Sequence, residues 1–262
     1  MAIRQHRKAL HVGAFFVAWL FSGVLLADPC QLAERGELVA SQFVLDGDTL
    51  QLTDGRRLRL IGLDTPEIGR RGEPSQPFSQ AAKRRLQELA GASGLRLVVG
   101  TEGRDRYGRT LGHLFSADGY NLEARLLEEG LGFAIAVPPN TVLARCHLDA
   151  ERRARSARLG LWGESPIKPV ADLQAGGFQV LRGRIQSFNE AGGHLWLELD
   201  GPLVLRIGRD DREQFSAPTP AWLGREVEVR GWVIDRRGQR SLRPQHKPFM
   251  LPLRHPLMLE MK

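Results

Sequence analysis

The sequence predicts an α+β protein: a mixed segment of strands and three helices, followed by a second, all-strand segment that suits a small OB-like barrel. Three observations carry this expectation. Short runs alternate apolar and polar residues between Gly and Asp turns, as half-buried strands do. Three other runs, at 79–91, 122–130 and 142–162, carry helix-forming residues and stop at or near glycines. Beyond the Pro- and Gly-rich stretch GESPIKPVADLQAGG, only strand-like runs remain, spaced by about ten residues.

In chain order, Arg4, Arg7 and Lys8 precede a run from Val12 to Leu26 that is apolar apart from Gly13, Ser22 and Gly23, and small Ala27 follows. Residues 1–27 are therefore expected to be a cleaved signal peptide, with an uncleaved membrane anchor as the alternative. Either way the rest of the chain is expected to be exported, periplasmic or secreted, and a cleaved form has no stable membrane association. The two cysteines, Cys30 and Cys146, are expected to form one disulfide in an oxidising compartment, with two buried thiols as the alternative.

SQFVLDGDTLQLTDGRRLRLIGLD reads as strand, turn, strand, with Asp54-Gly55 at the turn. In its second strand Leu58 and Leu60 share one face, and Arg57, Arg59 and Ile61 the other. A helix at 79–91 and two strands around the polar loop 101–109 follow, then helices at 122–130 and 142–162. These elements make up an expected unit at 28–165. Residues 166–175 are expected to be a linker and 176–262 an accessory barrel. Residues 28–175 carry 20 Lys+Arg and 20 Asp+Glu, whereas residues 176–262 carry 14 and 10. The excess positive charge beyond the N-terminal segment thus lies in the accessory unit, which suits an acidic partner.

The polar groups around the first hairpin suggest chemistry. Asp48, in Asp46-Gly-Asp48-Thr49, and Asp64-Thr65 lie at adjacent strand ends. Two carboxylates and the Thr65 carbonyl suit a hard divalent cation. No Cys or His cluster has zinc spacing. Arg59 and Arg109 offer planar forks for phosphoryl oxygens, which leaves Glu67 to take a proton from water.

Taken together, Asp46-Gly-Asp48-Thr49, Arg59 five residues before Asp64-Thr65-Pro66-Glu67, Asp105-Arg106-Tyr107-Gly108-Arg109, the EEGLGFA segment and the closing Gly160-Leu161-Trp162 resemble the staphylococcal nuclease family over residues 38–163. The resemblance implies an OB-like five-stranded barrel with three helices, and a calcium-dependent nuclease acting on DNA and RNA that leaves 3′-phosphate ends. It implies Asp48, Asp64 and Thr65 as metal ligands, Glu67 as general base, and Arg59 and Arg109 as phosphate-binding groups. Arg106 and Tyr107 are expected beside the substrate. Where the family carries tyrosines against a bound base, this sequence has Ala136 and Pro138. Two other readings are a catalytically degenerate nucleic-acid-binding module and a phosphodiesterase for small nucleotides. A monomer is expected.

In the accessory unit, Leu195, Leu197 and Leu199 share one strand face, with Trp196 opposite. Val227, Val229 and Val233 share another, with Arg230 and Trp232 opposite. Trp196 and Trp232 are therefore expected either to stack bases of a single strand or to pack against the first unit or the linker.

Overall fold

The computed structural model describes residues 30–34, 36–69, 72–240 and 242–262. The segment expected to direct export lies outside the described residues. Among the described residues no helix is long and apolar enough to cross a membrane.

The first sheet grows from the alternation seen in the sequence. Its strands are β1 (Glu37–Val39), β2 (Ser41–Asp46), β3 (Thr49–Leu52), β4 (Arg57–Leu60), β6 (Leu95–Arg104) and β7 (Thr110–Phe115), with a short β5 (Leu63–Asp64) between β4 and β6. The strand order is β1-β6-β7-β4-β3-β2. β4 and β7 run parallel and the other neighbours antiparallel. This is an OB-like half-barrel, with β1 added as a sixth strand beside β6.

Leu50, Leu52, Leu58 and Leu60 fill its core. Ile61 departs from the expected alternation. It is buried, because β4 ends at Leu60 and the chain turns through Gly62 at φ +82°. A Cβ at Gly62 would lie 2.1 Å from His147 Nδ1, so only glycine fits there.

The three helices are α1 (Ser79–Ala90), α2 (Leu122–Glu128) and α3 (Ala144–Ser156). Ala82, Leu86 and Ala90 of α1 recur every fourth residue and are buried together. Asn121 caps α2 by accepting from the Ala124 backbone N–H at 2.9 Å. Its Oδ1 also meets His147 Nε2 of α3 at 2.9 Å. Cys30 and Cys146 form the expected disulfide, with Cα atoms 5.5 Å apart. It closes a span of 116 residues, worth about 4–5 kcal/mol on a chain-entropy argument.

Between α2 and α3, the short β8 (Phe133–Ala134) pairs antiparallel with β5. The stretch expected to be a linker is packed instead. β9 (Lys168–Pro169) pairs in parallel with β10 (Gly177–Ala191), and Val170 and Leu173 are buried. Their apolar side chains outweigh the Pro and Gly signals on either side.

β10 continues through β11 (His194–Leu199), β12 (Leu203–Ile207), β13 (Glu226–Asp235) and β14 (Phe249–Leu253), with β15 (Leu259–Met261) on β13. β10 also pairs with β13, which closes a five-stranded barrel in the order β10-β11-β12-β14-β13. Leu195, Leu197 and Leu199 fill its interior as the alternation requires.

β13 presents its other face to α3. Arg230 is buried and places Nη1 2.5 and 2.7 Å from the two Glu151 carboxylate oxygens. Glu151 Oε2 also accepts from the Ala134 backbone N–H at 2.6 Å. Two residues along, the Arg155 fork meets both oxygens of buried Glu228 at 2.7 and 2.9 Å. Burial pushes the Glu228 carboxyl up. The Arg155 hydrogen bonds, with the charges of Arg155, Arg230 and Lys262, outweigh this and hold it below its ordinary value. The seam is one network, in which every charge has an opposite partner.

Candidate active site

The strand ends β2, β4 and β5, the start of the 65–69 loop and the β6–β7 loop open onto one cleft of about 830 Å³. Asp46, Asp48, Arg59, Asp64, Glu67, Arg106, Tyr107 and Arg109 all line it. Residues up to 63 positions apart in sequence therefore line one cleft.

The turn Asp46-Gly47-Asp48 lies against Thr65 and α1. A Cβ at Gly47 would lie 2.6 Å from Ala82 Cβ and 2.7 Å from Thr65 Oγ1, so glycine lets the two segments close. Asp48 Oδ2 accepts from the Thr65 N–H at 3.1 Å and Oγ1 at 3.2 Å, while Thr49 Oγ1 donates to Asp48 Oδ1 at 2.9 Å. Thr65 thus fixes an aspartate; the structure assigns that role to its N–H and hydroxyl, beside the carbonyl role expected from the sequence.

Arg59 does not extend freely into the cleft. Its guanidinium lies 3.0 Å from Asp48 Oδ2 and 3.1 Å from Asp64 Oδ1, and donates to the Leu63 and Leu60 carbonyls at 2.7 and 3.1 Å. Burial works against its charge, but Asp48, Asp64, Asp46 and Glu67 outweigh that and raise its pKa. One cation stands among four carboxylates. The imbalance shows in the acids. Asp64 is raised to about 8, first by burial and then by Asp48, Glu67 and Asp46 against the opposing effect of Arg59. Asp46 is raised to about 6, first by burial and then by Asp48.

Such crowding of negative charge fits a further cation. The donor set is all oxygen, which suits a hard ion. Among the described residues no three His, Cys, Asp or Glu side chains stand close enough to chelate an ion unaided. The fit is therefore to an ion that takes two carboxylates and completes its shell with carbonyl oxygen and water, as calcium and magnesium do. Arg59 already contacts Asp48 Oδ2 and Asp64 Oδ1, so a cation there would share both carboxylates with it.

The remaining groups are less enclosed. Glu67 is exposed, and its backbone is clamped by Gln76: the Glu67 N–H donates to Gln76 Oε1 and the Gln76 N–H to the Glu67 carbonyl, both at 2.9 Å. Arg109 donates through Nε to Asp105 Oδ2 at 2.7 Å, a contact that does not use its two terminal nitrogens. Arg106 and Arg109 lie 4.8 and 5.6 Å from the ring centre of exposed Tyr107.

The two tryptophans part company. Trp196 does not line the cleft. It stands on the outer face of β11, where Nε1 donates to the Ala191 carbonyl at 3.3 Å and His194 and Arg206 lie near the ring. Trp232 does line the cleft, and its ring packs edge-on against Phe178. Arg254, which no sequence signal marked within its extended C-terminal piece, lines the same cleft. Asn140, also unmarked, pins the end of β6 by bonding both the N–H and the carbonyl of Glu102.

The first unit is thus a half-barrel with three helices that gathers carboxylates and arginines at its strand ends. The family model described as staphylococcal nuclease homologue matches residues 57–164. The chain is 35% identical over 131 residues to the thermonuclease of Staphylococcus intermedius, covering 49% of this chain and 77% of that protein. It is 34% identical over 127 residues to endonuclease YncB of Bacillus subtilis (strain 168), covering 46% of this chain and 59% of that protein. An uncharacterized endonuclease of Escherichia coli O157:H7 is 32% identical over 167 residues, or 62% of this chain and 95% of that protein. The chain belongs to the staphylococcal nuclease family.

Proposed function

We propose that this chain is a calcium-dependent phosphodiesterase that cuts DNA and RNA internally, with residues 28–165 as the catalytic unit and 176–262 as an accessory barrel. The observation that carries the reading is the Arg59 guanidinium set among Asp46, Asp48, Asp64 and Glu67, with Arg109 lining the same cleft. Asp48 and Asp64, with the Thr65 carbonyl, would hold the calcium. Bound there, it would supply positive charge to a phosphoryl oxygen and a site for water.

Glu67 takes a proton from the attacking water, whose oxygen bonds to phosphorus. Arg109 and Arg59 take phosphoryl oxygens as negative charge builds on the five-coordinate phosphorus. The bond from phosphorus to the 5′-oxygen breaks, and that oxygen leaves and takes a proton from solvent water. The products are a 3′-phosphate and a 5′-hydroxyl. The disulfide supports an oxidising, exported setting, periplasmic or secreted. The chain is proposed to act as a monomer.

A degenerate binding module usually lacks a carboxylate or an arginine of such a set, and all are present here. The small-nucleotide reading is separated by experiment. With calcium, long single-stranded DNA, duplex DNA and RNA should all be cut to fragments ending in 3′-phosphate, and faster per molecule than dinucleotides. Cleavage of dinucleotides alone, or 5′-phosphate ends on the products, would overturn the proposal.

A further inference from the structure

The C-terminal barrel reaches the catalytic cleft along one edge of the first unit. Three alternate residues of that edge are engaged in turn. Arg230 Nη1 meets the Ala134 carbonyl at 3.4 Å, Met258 Sδ meets the Ala136 N–H at 3.3 Å, and Arg254 Nη2 donates to the Pro138 carbonyl at 3.2 Å. Along β13, Glu228, Arg230 and Trp232 fall on one face by strand alternation. The first two are buried in the ion-pair seam with α3, so the third is carried on a fixed strand to the rim of the cleft.

Trp232 is then held but not covered. Phe178 packs against it in a T-shaped arrangement, with a centroid separation of 5.3 Å and an interplanar angle of 71°, yet the residue is 44% exposed. Among the described residues Phe178 is the one ring that packs on Trp232, which leaves indole surface open to solvent. Arg254 is likewise half in solvent; Asp211 stands 3.8 Å from its Nε. An exposed indole and an exposed guanidinium on the wall of a cleft whose other wall carries carboxylates and arginines make a pairing of stacking surface and phosphate-binding fork.

We propose that Trp232 and Arg254 form a strand-holding subsite in which the indole stacks one base of a single-stranded polynucleotide and the guanidinium takes a neighbouring phosphate. The subsite rests on the nuclease reading above and names its favoured substrate form. Bases inside a duplex are already stacked on one another, so an indole platform favours single strands or locally opened ends. The accessory barrel acts as part of the cleft wall, through one strand and the C-terminal segment, and Trp196 has no part in it.

The test is equilibrium binding of a fluorescein-labelled oligothymidylate to the full chain in excess chelator, followed by anisotropy. Trp232→Ala should raise Kd about 5- to 150-fold, the range for loss of one stacked base. Trp232→Phe, which keeps an aromatic face, should raise it less. Arg254→Gln should lower the slope of log K against log salt by about 0.7, the loss of one phosphate contact to a single strand. An oligonucleotide carrying 5-iodouracil, photolysed on the wild-type chain, should crosslink to Trp232 as mapped by peptide mass. This arm decides the matter even where a substitution disturbs folding. Kd values within twofold of wild type in all three folded variants, or crosslinks only to peptides lacking Trp232, would overturn the subsite. A wild-type chain that neither binds nor cuts any polynucleotide would instead overturn the nuclease reading.

Discussion

Glu67→Gln is expected to lower kcat on long DNA by about 10²–10⁴, the usual contribution of a positioned general base. The substitution keeps the shape of the side chain and removes only its ability to hold a proton at neutral pH. The fold has little reason to respond. Glu67 is exposed, and the contacts that place it run through its backbone to Gln76 rather than through its carboxylate. Steady-state rates with saturating calcium, beside thermal melts of both proteins, separate chemistry from stability. A variant with the wild-type melt and a kcat within threefold of wild type would remove Glu67 from the role of base.

The second large effect is on stability. Arg230→Met is expected to cost about 3–5 kcal/mol, because it leaves the Glu151 carboxylate buried without its cation. Glu151 also accepts the Ala134 N–H, so it cannot simply swing into solvent without orphaning that donor. The double variant Arg230→Met with Glu151→Leu should recover part of the loss, since no buried charge then remains unpaired; the Ala134 N–H prevents full recovery. Urea unfolding of the single and double variants measures both terms. A single-variant loss below about 1 kcal/mol would mean that the seam is solvated and does not hold the barrel against α3.

Much of this architecture could be read from the chain because local signals agreed with one another. The alternation of Leu58, Arg59 and Leu60, the turn at Asp54-Gly55, and the helix from Ser79 stopped at Gly91 all point the same way, and each element is present. The cleft was legible because its residues belong to a few short motifs at strand ends. What was not legible depends on packing between distant segments. Val170 and Leu173 look like linker residues until β9 lies along β10. In the sequence Arg230 is placed only on the strand face opposite the valines, and its burial follows from the approach of α3 with Glu151. Trp196 and Trp232 have equivalent sequence patterns. The difference between them lies in which strand faces the first unit, and strand parity alone does not carry that information. Arg59 is a similar case: its spacing from Asp64 is visible, but the closeness of Asp48 and Asp64 to its fork is a tertiary fact.

The central claim is that the oxygen-lined cleft works through a bound hard cation. Its most direct test is digestion of long single-stranded DNA by the purified chain, in calcium and in excess chelator, at equal protein and ionic strength. The account predicts rapid fragmentation with calcium, none with chelator, and full return when calcium is restored beyond the chelator. Undiminished cutting in excess chelator would contradict it.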